Sequence, residues 1–124
     1  MSLRTCQWMI AVIVILLMNG CNETMPPDVT PIAIRAEDLY YERELNATRY
    51  DQTYLYQWVT VTGFVERVDS GKVYLSGNYD FGGLSLSGVP TEIQARLNVG
   101  DEFTATCKVG DFILFKIRLN HCSN

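Results

Sequence analysis

The feature that most limits the fold is a run of two-residue alternation in mid-chain, WVTVTGFVERV, residues 58 to 68. Val59, Val61, Gly63 and Val65 take one parity, and Thr60, Thr62, Phe64 and Glu66 take the other. That period sets one row of side chains on a buried face and the other toward water, as in a half-buried strand. Gly63 in its middle suggests a bulge or a sharp coil. Asp69-Ser70-Gly71 reads as a tight turn, and Lys72 to Ser76 returns as a second strand with Val73 and Leu75 inward. A loop at Asn78-Tyr79-Asp80-Phe81-Gly82-Gly83 follows, and Leu84 and Leu86 mark a short third strand.

Pro90 suits the first turn of a helix, Ile93 and Leu97 stand four apart on one face of it, and Asn98 and Gly100 end it. Phe103, Ala105 and Cys107 then alternate inward on a fourth strand, and Val109-Gly110-Asp111 is expected to turn the chain. A fifth strand would carry Ile113, Phe115, Ile117 and Leu119 on its inner face, with Phe112, Leu114, Lys116, Arg118 and Asn120 outside. Three strands, a helix and a final hairpin make the chain order of an OB-fold, a mainly β, five-stranded barrel with a short helix between strands three and four. An SH3-like barrel has no helix of this length before its last strands.

Ahead of the barrel, AEDLYYERELNATRY places Ala36, Leu39, Tyr40, Arg43, Ala47 and Tyr50 at three-and-four spacing. This predicts one amphipathic N-terminal helix, ending near Asp51-Gln52-Thr53 and packing its tyrosines on the sheet. Residues 22 to 35 hold three of the four prolines and show neither period, so they read as an extended tether.

The first 20 residues are of another kind. Arg4 precedes the unbroken apolar block MIAVIVILLM, and the block ends at Asn19-Gly20-Cys21. A basic start and a short apolar core suit a secretory signal, and the block is too short for a spanning helix. A small residue directly before a cysteine, with aliphatics upstream, resembles the lipobox of bacterial lipoproteins. That resemblance implies cleavage after Gly20 and lipid on the Cys21 sulfur. It also implies attachment to the cell envelope, at the outer membrane and facing the periplasm in a Gram-negative cell, since Asn22 is not a retaining aspartate. Three parts are thus expected: a signal peptide over 1 to 20, a lipidated cysteine and tether over 21 to 35, and the barrel with its helix over 36 to 124. Without the leader, nine basic residues face fourteen acidic ones, a balance that repels phosphate backbones and makes nucleic acid an improbable partner.

Ala36, Leu39 and Asn46, then Asp51 and Tyr54, then Val61-Thr62-Gly63 and the closing CKVGDFILFKIRLNHC of residues 107 to 122 form an ordered set. Together with the leader they resemble the bacterial OB-fold putative lipoproteins, also called the tRNA anticodon-binding-like family. Tyr56-Gln57 stands where that family has Gly-Lys. The resemblance implies the barrel and the anchor, and it brings no established ligand or activity.

Few residues suggest chemistry. His121 is the one histidine, placed for neither a Ser-His-Asp set nor a metal site, and it reads as an exposed tail residue. No catalytic residue, metal or cofactor is expected. Cys107 and Cys122 leave two readings open. A hairpin turning at Val109-Gly110 would separate them by about 33 Å and put them on opposite faces. A longer loop, or a chain that folds back after Leu119, would let them form a disulfide. The ligand face expected of such a barrel is Lys72, Tyr74, Asn78, Tyr79 and Phe81. It would dock an envelope protein or a small ligand, with an oligonucleotide or oligosaccharide as the alternative.

Overall fold

The computed structural model of the chain describes residues 23–77 and 82–124. Its order is β1 (Ile32–Arg35), α1 (Ala36–Leu45), α2 (Ala47–Tyr54), β2 (Trp58–Asp69), β3 (Lys72–Ser76), β4 (Gly83–Ser87), α3 (Thr91–Gln94), β5 (Glu102–Ile113) and β6 (Lys116–Ser123). β2 pairs antiparallel with β3, β3 with β4, and β5 with β6, while β4 and β6 run parallel. The antiparallel pairing of β2 with β5 closes the ring. The result is a closed five-stranded barrel of OB-like topology.

The alternation of β2 builds its core. Val59, Val61 and Val65 are buried and meet Val73, Leu75, Ala105 and Cys107 inside the barrel. On the outer face Thr60 bonds Thr106 at 3.0 Å and Thr62 bonds Thr104 at 2.8 Å, cross-strand pairs that pin the β2–β5 register. The irregularity expected at Gly63 falls instead between Val65 and Arg67. Gly63 serves a close approach: a Cβ there would lie 2.6 Å from that of Ala36, where α1 begins.

Two corrections concern the N-terminal part. The stretch read as a tether includes a strand, for Ile32–Arg35 pairs parallel with Val59–Thr62. The stretch read as one helix is two, broken at Asn46, whose backbone is extended (φ −163°, ψ 97°). Its side-chain oxygen accepts the Arg49 N–H at 2.9 Å. An asparagine offers the backbone that alternative and so starts a new helix. Ala47, placed on the inner face by its spacing, is exposed, while Leu39, Tyr40 and Tyr50 are buried.

The last hairpin also differs from expectation. Val109-Gly110-Asp111 is not a turn. β5 continues to Ile113, and Gly110 and Asp111 form a bulge, two residues opposite Arg118 alone. A Cβ at Gly110 would stand 2.5 Å from the Asn120 amide nitrogen, so the bulge packs tightly. The chain reverses at Leu114-Phe115, and Ile113 and Phe115, expected inward, are 42% and 58% exposed. A second bulge, at His121 (φ 56°), adds a residue to β6. It turns Cys122 to the inner face that Ile117 and Leu119 already hold.

Candidate functional site

Those two shifts bring the late cysteines together. Cys107 and Cys122 are joined by a disulfide with Cα atoms 4.1 Å apart, and both are buried. Of the two readings left open by the residues, the bonded one is correct: the turn lies five residues later than its glycine suggested, and the bulge reverses the parity.

The expected ligand face is partly described. Lys72 and Tyr74 lie on the outer side of β3. The strand registers carry Tyr74 into a row that runs Arg67, Tyr74, Ser85, Arg118 across β2, β3, β4 and β6. The Arg67 guanidinium stands over the Tyr74 ring at 4.1 Å, and its Nε is 3.2 Å from Asp69. One face of the ring is thus covered from within the chain, by a contact of the order of 0.5–1 kcal/mol at an exposed site. Ser85 lies in the same row yet is only 5% exposed. Lys72 pairs across to Asp69 on one side and Ser87 on the other. Because the row crosses four of the five strands of a closed barrel, it curves round the wall: Arg67 is beside Tyr74, and Arg118 stands two strands further on. Asn78, Tyr79 and Phe81, expected on this face, lie outside the described residues, as does Cys21.

A second feature has no counterpart in the sequence reading. An open cleft of about 220 Å³ lies on the outer side of the β5–β6 hairpin, lined by Glu23, Tyr56, Lys108, Asp111, Asn120 and His121 among others. Glu23 closes one side of it. Its carboxylate lies 3.0 Å from Lys108 Nζ and 3.6 Å from His121 Nε2, and its backbone N–H donates to His121 Nδ1 at 3.1 Å. Accepting at Nδ1 requires the neutral ring to carry its proton on Nε2, the nitrogen that faces the carboxylate. His121 is therefore not a loose tail residue but half of a clasp. The bulge that aligns Cys122 also aims it. The partners are 98 residues apart, and no spacing motif announces a contact of that length. At the cleft edge Tyr56 (φ 63°) is 58% exposed, with its hydroxyl 3.5 Å from Asp111.

Among the described residues no three His, Cys, Asp or Glu side chains gather to hold a metal, and no helix is long and apolar enough to cross a membrane. The chain matches no protein-family model and no curated protein.

Proposed function

We propose that this chain is a lipid-anchored protein of a bacterial cell envelope, akin to the OB-fold lipoproteins, whose barrel is a non-catalytic binding module. The observation that carries the reading is the buried Cys107–Cys122 disulfide, in a chain whose N-terminal apolar block is followed by Asn19-Gly20-Cys21. Structural disulfides persist in oxidising compartments such as the periplasm, and a cleaved leader is the route there. The barrel supplies a rigid frame, and the outer wall around Arg67, Lys72 and Tyr74 is the surface offered to an envelope protein, a peptide or a small ligand. Two or three acyl chains, at about 0.8 kcal/mol per buried methylene, would make attachment stable. Cys21→Ala is expected to move the protein from the membrane pellet to the soluble fraction of bacteria that express it. A pellet unchanged by the substitution refutes the anchor.

A second reading, an oligonucleotide- or oligosaccharide-binding barrel, is favoured by one observation, the Arg67 guanidinium and the Tyr74 ring held together on the outer wall. Salt separates the alternatives. Affinity for an oligonucleotide falls steeply with ionic strength, while affinity for a peptide or a neutral sugar held by Tyr74 changes little. Crosslinking in intact cells, with identification of the attached molecule, decides which class is bound.

A further inference from the structure

Arginines and aromatic rings meet three times in this chain. The Arg67 guanidinium stands 4.1 Å from the centre of the Tyr74 ring, and its Nε is 3.2 Å from Asp69. Arg35 lies over Phe64 at 5.4 Å and reaches Glu102 at 3.1 Å. Arg43 covers Phe112 at 3.6 Å. In the first two, a ring takes the flat face of the guanidinium while a carboxylate accepts from its edge, the arrangement that a planar cation favours.

A fourth pair of ring and carboxylate has no cation from within the described residues. Tyr56 and Asp111 both line the cleft on the outer side of the β5–β6 hairpin, with the phenol oxygen 3.5 Å from the Asp111 carboxylate. Among the described residues no arginine or lysine lies over the Tyr56 ring or pairs with Asp111. Lys108, the cation in the cleft lining, is held at 3.0 Å by Glu23. His121 accepts the Glu23 N–H at Nδ1 and so stands neutral. Among the lining residues one negative charge is left over, on Asp111.

The fold itself sets this pair in place. Tyr56 has a left-handed backbone (φ 63°), unfavourable for a bulky residue. Two hydrogen bonds keep it there: its N–H donates to the Val109 carbonyl and the Val109 N–H to the Gln57 carbonyl, both at 2.9 Å. Asp111 stands in the bulge with Gly110, which the Asn120 amide packs against. Bulges re-aim side chains beside binding sites, and a strained residue persists where its surroundings over-determine it. Neither side chain serves the core, for Tyr56 and Asp111 are both exposed.

We infer that this cleft receives the guanidinium of an arginine on a partner polypeptide, stacked on Tyr56 and accepted by Asp111. Charge complementarity names the occupant: one leftover carboxylate suits a monocation, and the neighbouring ring suits a flat one. The cleft, at about 220 Å³, has room for the end of one such side chain. None of its parts belongs to the wall around Tyr74 or depends on lipid at Cys21.

The test is a titration of the full chain, matured in bacteria and held in detergent micelles, followed through the backbone amide resonances of isotope-labelled protein. The probe is α-N-acetyl-arginine amide, which presents the side chain as a polypeptide does. Saturable shifts are expected at the Tyr56, Gly110 and Asp111 amides in the millimolar range, while the amide of Val73, in the barrel core, stays in place. The matching lysine probe is expected to bind about fivefold more weakly, since an ammonium neither stacks nor forks. Asp111→Asn and Tyr56→Asn are each expected to weaken the arginine probe about fivefold, and asparagine tolerates the left-handed angle at residue 56. If one of these variants fails to fold, the other gives the same reading. Absence of saturable shifts at the three amides overturns the inference. So does equal affinity for the arginine and lysine probes, or affinity unchanged in a folded Asp111→Asn. Free arginine binding about tenfold more tightly than the capped probe overturns the polypeptide as its source, because the free ammonium and carboxylate are then recognised as well.

Discussion

Tyr50 is 2% exposed, between α2 and the barrel, and its hydroxyl has no hydrogen-bond partner among the described residues. Burial pushes its phenol well above the ordinary range, and the nearby Arg43 charge offsets part of that. Tyr54, its ring tilted against that of Tyr50 with centroids 5.5 Å apart, is raised by burial as well. A raised pKa in the folded state means that the stability due to the neutral phenol is complete below the unfolded tyrosine value near about 10. It is lost as the pH climbs past that value. Calorimetry across alkaline pH is expected to show the melting temperature falling in this range, and Tyr50→Phe is expected to flatten the fall. At neutral pH the same change leaves stability unchanged or higher by up to about 1 kcal/mol, because it removes an unsatisfied buried group. Cys107→Ser has the opposite sign. Its disulfide spans 15 residues, and opening such a loop costs about 3 kcal/mol. Denaturant titration of the variant, and of the parent with reductant, is expected to give similar lowered midpoints.

The β5–β6 hairpin is the element in which local preference and observed conformation pull apart. Replacing Leu114-Phe115 by Asn-Gly gives the turn the residues its φ angles favour. The substitution is expected to raise stability by about 1 kcal/mol in urea titration, as relief of left-handed strain at both positions outweighs the entropy of the new glycine. The same hairpin shows why part of the fold could not be read in advance. Strand β3 was legible to the residue, and so was the inward row of Phe103, Ala105 and Cys107, because alternation over a buried face leaves a plain trace. The turn was not, because Leu114-Phe115 carries no turn chemistry while Gly110-Asp111 a few residues earlier does. The bulge at His121 is equally silent, since its positive φ falls on a residue with no local reason to adopt it. Cysteine pairing and the Glu23 clasp both depend on that bulge, so the sequence left the first open and gave no sign of the second. The break at Asn46 was legible in principle: asparagine is among the best residues to start a helix.

Across the molecule, the barrel and its helical cap meet at the contact of Gly63 with Ala36. Gly63→Ala forces β2 and α1 apart and is expected to cost about 1–3 kcal/mol, measurable as a lower midpoint with the native β-rich circular dichroism retained. The closed pairing order was legible from the sequence of elements, because three strands, a helix and a hairpin admit few other rings. The sixth strand was not, as four residues between a proline and a helix are too few to show a period. Its placement has a consequence of its own. Ile32–Arg35 lies on the edge of β2 opposite β5, along Val59–Thr62. Should a protease sever the chain just ahead of it and the four residues peel away, a row of backbone donors and acceptors would be uncovered. The barrel would then present a vacant berth of fixed polarity, open to any extended peptide that could take the place of its own first strand.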